Sequence, residues 1–208
     1  MKFVGEPLRI LDFDCEARPL SWYGGDFVTK EITAIAWKWV GDKSLVECRV
    51  LEIDGLTNAD QYPELAGMRD MLWDFTEAYN AADMVTGHFI RGYDLPAINS
   101  ALIEAGMNPL RQKMTHDTKL DLIRFSGLSK SQENLAAMLG IKAPKIKMTQ
   151  QDWRDANRLT TDGVSKTIKR VTGDVTQHIK LRQRLMEAGM LGPPKPWRPH
   201  THGQVYRP

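Results

Sequence analysis

The chain has 208 residues, of which 42% are hydrophobic and 8% aromatic, with 28 Lys and Arg against 26 Asp and Glu. That is enough apolar material for one packed domain with a tail, and it excludes both a large multidomain machine and wholesale disorder. No run of about 18 uncharged apolar residues occurs, residues 1–10 lack the apolar core of a signal peptide, and two cysteines, Cys15 and Cys48, make neither a disulfide framework nor a zinc site, so membrane insertion and secretion are disfavoured and a reducing cytoplasm is the expected home.

Residues 8–15 mix Leu8, Ile10, Leu11 and Phe13 with Arg9, Asp12 and Asp14 and read as a first strand, stopped by Pro19. EITAIAWKWV over 31–40 and LVECRVLEI over 45–53 are rich in β-branched and aromatic residues and flank a turn-like Gly41-Asp42-Lys43, which predicts a hairpin. Leu65, Met68, Leu72, Phe75 and Tyr79 recur at helical spacing and predict a helix over 63–81. A short strand over 83–87 follows, then a helix over 95–105 opened by Pro96 and closed by Gly106. Residues 115–118 read as a fifth strand, and 131–139, 150–159 and 164–188 as helices, the last with Ile168, Val171, Val175, Ile179, Leu181 and Leu185 on its apolar face. Three early strands followed by two that alternate with helices predict an α/β domain with a five-stranded mixed sheet flanked by helices. The domain boundary is expected after residue 191. Residues 192–208, with five prolines, read as an extended strap or mobile end.

Charge divides the chain. Residues 1–139 carry 14 basic and 21 acidic residues, whereas residues 140–184 carry 11 basic and 4 acidic. A basic segment is either a solvated helix face or the footprint of something that holds phosphates. Lys142, Lys145 and Lys147, then Arg154, Arg158, Lys166, Lys169 and Arg170, supply it.

The acidic part carries the chemistry. Asp12, Asp14 and Glu16 alternate along the first strand, so all three carboxylates fall on one face; they either fan into water or meet a divalent cation. Asp94 precedes Leu95-Pro96 in Gly87-His88-Phe89-Ile90-Arg91-Gly92-Tyr93-Asp94-Leu95-Pro96, where it is either a helix cap or a functional carboxylate. Asp174 lies in the basic helix, as an exposed aspartate or a third contributor.

Taken in order, these segments resemble the three motifs of the DEDD family of 3′-to-5′ exonucleases, which has a ribonuclease H-like fold. Asp14-Cys15-Glu16 is similar to the family's Asp-x-Glu on the first strand, residues 87–96 to its Gly-His-Asn motif ending in Asp-Leu-Pro, and Gly173-Asp174-Val175 to its late-helix motif. The likeness runs from about residue 7 to 188 and implies a site of two Mg²⁺ or Mn²⁺ ions held by Asp14, Glu16, Asp94 and Asp174, with Asp14 bridging the pair. His88 and Phe89 would meet the terminal nucleotide, and Lys145, Lys147, Lys169 and Arg170 the phosphate backbone. Asp12 is left with a supporting role, and Asp117 is a recurrent family feature near the site.

Two departures stand out. Phe89 replaces the usual Asn, and Arg170 and Lys169 occupy the places where the family has its Tyr or His general base. His178, one helical turn beyond Asp174, is the candidate substitute. The spacings His116 to Asp121 and Tyr79 to Asp83 imitate the late motif but come too early in the chain. Trimming of single-stranded DNA 3′ ends is the expected activity, with RNA as a possible substrate and replication proteins as partners in trans. A structure-specific endonuclease or RNA-degrading enzyme of the same fold, or a binding module without turnover, are the alternatives. His200 and His202 in the tail are a further metal-ligand candidate, more simply incidental.

Overall fold

The computed structural model describes residues 7–20, 29–52, 62–142 and 146–199. Among these, seven strands form one mixed sheet in the order β4-β3-β2-β1-β5-β6-β7. The strands are β1 (Ile10–Pro19), β2 (Lys30–Trp39), β3 (Glu47–Leu51), β4 (Leu65–Ala66), β5 (Met84–Gly87), β6 (Lys113–Asp117) and β7 (Lys195–Trp197). The helices are α1 (Met68–Ala81), α2 (Asp94–Glu104), α3 (Gln132–Met138), α4 (Gln150–Asn157) and α5 (Thr161–Glu187). Helices flank the sheet, as the ribonuclease H-like expectation requires.

The five expected strands make up the contiguous middle of the sheet, β3-β2-β1-β5-β6. The sheet is nevertheless seven-stranded, because a short strand is added at each edge. Leu65, assigned by periodicity to the first helix, instead pairs with Val50 in β4, and α1 begins only at Met68. Pro196 sits in β7 opposite Met114, which an edge strand tolerates because no further ladder partner needs its missing N–H. This clips the front of the Pro-rich tail to the sheet; His200 and His202 lie outside the described residues, as does the end of the predicted strand at Ile53. β1 also continues to Pro19, past the predicted range of 8–15. Its parallel pairing with β5 ends at Asp12, so the distal half pairs only with β2 and has an open edge there.

The alternation of β1 decides what lies on each side of it. Leu11, Phe13 and Cys15 are buried in the main apolar cluster with Met71, Leu72 and Phe75 of α1. Phe75 is the hub, its ring centroid 5.0 Å from Phe13, 5.9 Å from Trp37 and 6.1 Å from Tyr79. Tyr79 is therefore core, its hydroxyl donating to the Arg111 carbonyl. The opposite register of β1 presents Asp12, Asp14 and Glu16 toward α5.

Gly87 ends β5 where a Cβ would overlap Ile90 and the Phe13 carbonyl oxygen. The close approach of β5 to β1 thus requires glycine, and it delivers the following turn to the end of β1.

Candidate metal centre

α5 crosses β1 with matched spacing. Four helical residues advance about 6 Å and two strand residues about 6.6 Å, so successive turns of α5 meet successive inward residues of β1. The pairs run Arg170 to Glu16, Asp174 to the carboxylates of Asp14 and Glu16, and His178 to Asp12.

Asp14, Glu16 and Asp174 each offer a carboxylate oxygen within 4.8 Å of the other two. Asp94 lines the same cleft, whose volume is about 350 Å³ and whose walls include His88, Phe89, Tyr93, Lys119, Gln132 and Arg170. All four carboxylate donors are hard oxygens, the donor set that divalent cations such as Mg²⁺ and Mn²⁺ take. The acidic cluster is chemically able to hold metal.

Asp94 is not a side-chain helix cap. It is itself the first residue of α2, 2% exposed, and its Oδ1 accepts the Cys15 backbone N–H at 3.0 Å. Burial pushes its carboxyl up to about 6, with the negative charge of Asp117 acting in the same direction against the hydrogen bonds from Cys15. The same environment holds the Cys15 thiol well above its ordinary range, chiefly by burial, so it is a packing residue and no nucleophile.

Arg170 does not extend along an outer phosphate track. Its Nε lies 2.8 Å from Asp174 Oδ2 and 3.6 Å from Glu16 Oε1, and its Nη1 donates to the Ile146 carbonyl. The guanidinium also lies 5.7 Å from the centre of the Trp153 ring. The cluster thus contains its own cation.

Phe89 has φ 70, an uncommon conformation for a bulky side chain. Asn enters that region more readily, which gives a backbone reason for Asn at this place in the family motif that residues 87–96 resemble. The turn is held by Asp117, fully buried, whose carboxylate accepts the N–H groups of Phe89 at 3.0 Å and Arg91 at 2.9 Å, together with those of Lys119 and Leu120. Gly92 lies beneath the Phe89 ring, where a Cβ would overlap it, and Lys119 Nζ stands 3.9 Å from the ring centre on the cleft side. Lys119 has no distinguishing mark in the sequence, since only the packing of β6 against the turn brings it to the cleft.

His178 does not join the carboxylate cluster. It is 2% exposed, with Nδ1 hydrogen-bonded to Asp12 Oδ2 at 2.7 Å and Nε2 to Thr118 Oγ1 at 2.9 Å. With both ring nitrogens engaged in the interior it is removed from the role of base, and Asp12 is its buried partner. Lys169 is exposed on α5 away from the cleft walls, while Lys147 is largely solvated and 3.9 Å from Glu133. Lys145 lies outside the described residues. Asp121 is tied to Arg91 and Lys195, a structural use of that carboxylate.

No protein-family model and no curated protein sequence matches the chain. Among solved structures it is similar to the family B DNA polymerase from the hyperthermophilic archaeon Pyrobaculum calidifontis, with a TM-score of 0.61 over 91% of this chain and 26% of that one. The chain spans about a quarter of the polymerase's length, since only 26% of the latter is covered. At 16% identity the likeness is one of fold. Among the described residues no helix is long and apolar enough to cross a membrane.

Proposed function

We propose that this chain is a metal-dependent 3′-to-5′ exonuclease that removes nucleotides from single-stranded DNA ends. The observation that carries this reading is the meeting of Asp14 and Glu16 of β1 with Asp174 of α5 within 4.8 Å, in a cleft shared with Asp94. The fold likeness to a DNA polymerase supports a nucleic-acid substrate. Asp14, Glu16, Asp94 and Asp174 would hold two Mg²⁺ or Mn²⁺ ions, which supply water activation and stabilisation of the leaving oxygen. Gln132, whose side chain donates to the Asp174 carbonyl at 2.9 Å, steadies the helix that carries that ligand. Phe89 offers a flat wall for the terminal base, and Lys119 and Lys147 offer charge to the phosphates. RNA is the alternative substrate, an endonuclease the alternative cutting mode, and replication proteins the expected partners. Residues 1–191 would form the nuclease domain, with 192–208 as a tail strapped to the sheet edge by β7. Two free cysteines, both buried, suit a reducing cytoplasm.

The test is incubation of the protein with 5′-labelled single-stranded DNA in Mg²⁺, Mn²⁺ or EDTA, beside Asp14→Ala and Asp174→Ala variants. A ladder shortening from the 3′ end, dependent on metal and lost in both variants, is the expected outcome. Internal cuts on a 3′-blocked strand would instead identify an endonuclease. A second reading, a DNA-binding module without turnover, is favoured by one observation: the guanidinium of Arg170 already lies against Asp174 and Glu16. Intact DNA under every metal, with retained salt-sensitive binding, would select it.

A further inference from the structure

Trp73 is the most exposed tryptophan among the described residues, 59% accessible on the outer side of α1. It stands in the wall of a second cavity, of about 340 Å³, between α1 and the connection from α2 to β6. This cavity is separate from the carboxylate cleft. Arg111 lies just before β6, whereas Asp117 ends that strand beside the cleft, and α1 covers the face of β1 opposite to Asp12, Asp14 and Glu16.

The walls of the cavity are fixed. Arg69 Nη1 donates to the Ala105 carbonyl, and the Met107 N–H to the Leu102 carbonyl at 2.8 Å. The Leu110 N–H donates to the buried Asn99 Oδ1 at 2.8 Å, and the Arg111 carbonyl accepts the Tyr79 hydroxyl at 2.7 Å. The connection thus runs alongside α1 from Arg69 near its start to Tyr79 near its end. A ligand would meet a formed site, of a volume within the range of about 300–1,000 Å³ that small-molecule pockets have.

Recognition groups follow in order along the same wall. Arg69, Trp73 and Glu77 recur at intervals of four, a ridge of α1 about 12 Å long. Arg111 faces the Glu77 end, since the Tyr79 hydroxyl holds its backbone there. Glu77 and Arg111 are opposite charges lining one cavity, yet they make no ion pair with each other. Among the described residues, neither of these side chains nor the Trp73 ring has a hydrogen-bond, ion-pair or ring partner. The neighbouring cation, Lys113, is by contrast engaged: its Nζ donates to the Ala82 carbonyl at 2.6 Å and lies 5.1 Å from the centre of the Tyr79 ring.

We propose that this cavity binds a guanine nucleotide, with the base stacked on Trp73, its edge between Glu77 and Arg111, and its phosphate at Arg69. An indole face takes any base, and the edge groups make the choice. An ionised carboxylate only accepts and a guanidinium only donates. Guanine offers two adjacent N–H positions to the first and its O6 to the second, so all three meet a partner. Adenine has a single N–H-bearing position on that edge and leaves one carboxylate oxygen unmatched. Arg69 keeps N–H groups beyond the one bound to Ala105, in a geometry suited to phosphate. Glu77 lies two helical turns from that phosphate, about a Debye length away, so its charge is largely screened there. The site does not rest on the exonuclease reading. Its ligand is either a free nucleotide or a guanine within a single strand, which share this chemistry.

The site can be tested on the full chain in EDTA, where hydrolysis is off, by titration with guanosine 5′-monophosphate. The Trp73 indole N–H resonance in ¹H–¹⁵N NMR, assigned from a Trp73→Phe sample, reports locally, and calorimetry gives the affinity. The resonance should move with this nucleotide, and adenosine 5′-monophosphate should bind about ten-fold more weakly. Trp73→Leu should lower affinity at least about ten-fold. Glu77→Gln should bring the guanine nucleotide down to the level of the adenine one. All three side chains are exposed, so these variants should melt as the wild type does. An unmoved Trp73 resonance up to about 1 mM nucleotide, or full affinity in Trp73→Leu, would overturn the site. Equal affinity for the two nucleotides, or a guanine preference that survives Glu77→Gln, would overturn the assignment of guanine. A short single strand with one guanine among thymines, compared with an all-thymine strand, separates the two sources. Tighter binding than the mononucleotide, with the same Trp73 shift, identifies a strand; weaker binding identifies a free nucleotide.

Discussion

Arg170 Nε stands 2.8 Å from Asp174 Oδ2, one helical turn away on α5, at the place where the resembled family carries a tyrosine. A guanidinium there neutralises part of the charge that would otherwise attract a divalent ion, so the protein and the metal compete for the same oxygens. Arg170→Tyr should therefore bind Mn²⁺ at least ten-fold more tightly than the wild type in calorimetric titration, a gain of about 1.4 kcal/mol. Weaker binding in the variant would mean that Arg170 shapes the ligand set instead of opposing the ion. If the chain is a nuclease, the same variant should also turn over faster.

Asp94 gives the metal-free protein a distinctive pH dependence. Its carboxyl is raised from 3.8 to about 6 by burial, so between these values the folded state holds a proton that the unfolded state has released. Stability should then fall as pH rises from 4 to 6, by up to about 3 kcal/mol from this group, and the buried Asp12, also raised, contributes in the same direction. Urea melts in EDTA across that range should show the slope, and Asp94→Asn should flatten it. Divalent metal should reverse it, since binding requires the deprotonated carboxylate and strengthens as pH rises.

Much of this arrangement was legible in the sequence, because it depends on local periodicities. The two-residue alternation of Asp12, Asp14 and Glu16 places them on one face of β1, and the apolar spacing along 164–188 makes a helix whose position over the sheet brings in Asp174. What could not be read is how turns of α5 register against β1. That match directs Arg170 to Glu16 and His178 to Asp12, and it depends on how two distant elements pack, which no local pattern encodes. Leu65 illustrates a related failure: it suits the apolar stripe of α1, yet its backbone satisfies the open edge of β3. Lys119 reaches the cleft for a similar non-local reason.

The backbone at Phe89 separates conformation from side-chain chemistry. With φ at 70, a β-branched residue is strongly disfavoured, whereas Asn is tolerated. Phe89→Asn should leave the unfolding free energy within about 1 kcal/mol of wild type, because relief of backbone strain offsets the lost ring contacts with Gly92 and Lys119. Phe89→Val should be less stable than Phe89→Asn by about 2 kcal/mol. Equal stability of the two variants would show that the turn relaxes freely and is not held by Asp117. If Phe89 is a stacking wall, both substitutions should weaken binding of single-stranded DNA ends to a similar degree, because both remove the ring.

Asp117 is the residue through which fold and site are most closely coupled. Its buried carboxylate collects four backbone N–H groups from the turn after β5 and the segment after β6, and Arg91 Nε lies 3.9 Å from it. No neutral side chain of similar size accepts that many donors: Asn would set its NH₂ against the Arg91 N–H if its oxygen kept the other three, or against those three if flipped, and Ala would leave all four without the carboxylate. Asp117→Ala should cost about 3 kcal/mol or more in equilibrium unfolding, and Asp117→Asn a large part of that. The loss should extend to the cleft, because the same hydrogen bonds fix the turn that carries His88 and Phe89 and leads into Asp94. Metal affinity measured at a temperature where the Asp117→Asn protein is still folded should therefore fall, although Asp117 is not among the clustered ligands. Unchanged affinity in a destabilised variant would show that Asp94 is positioned by its bond to the Cys15 N–H alone and that the turn contributes only to stability.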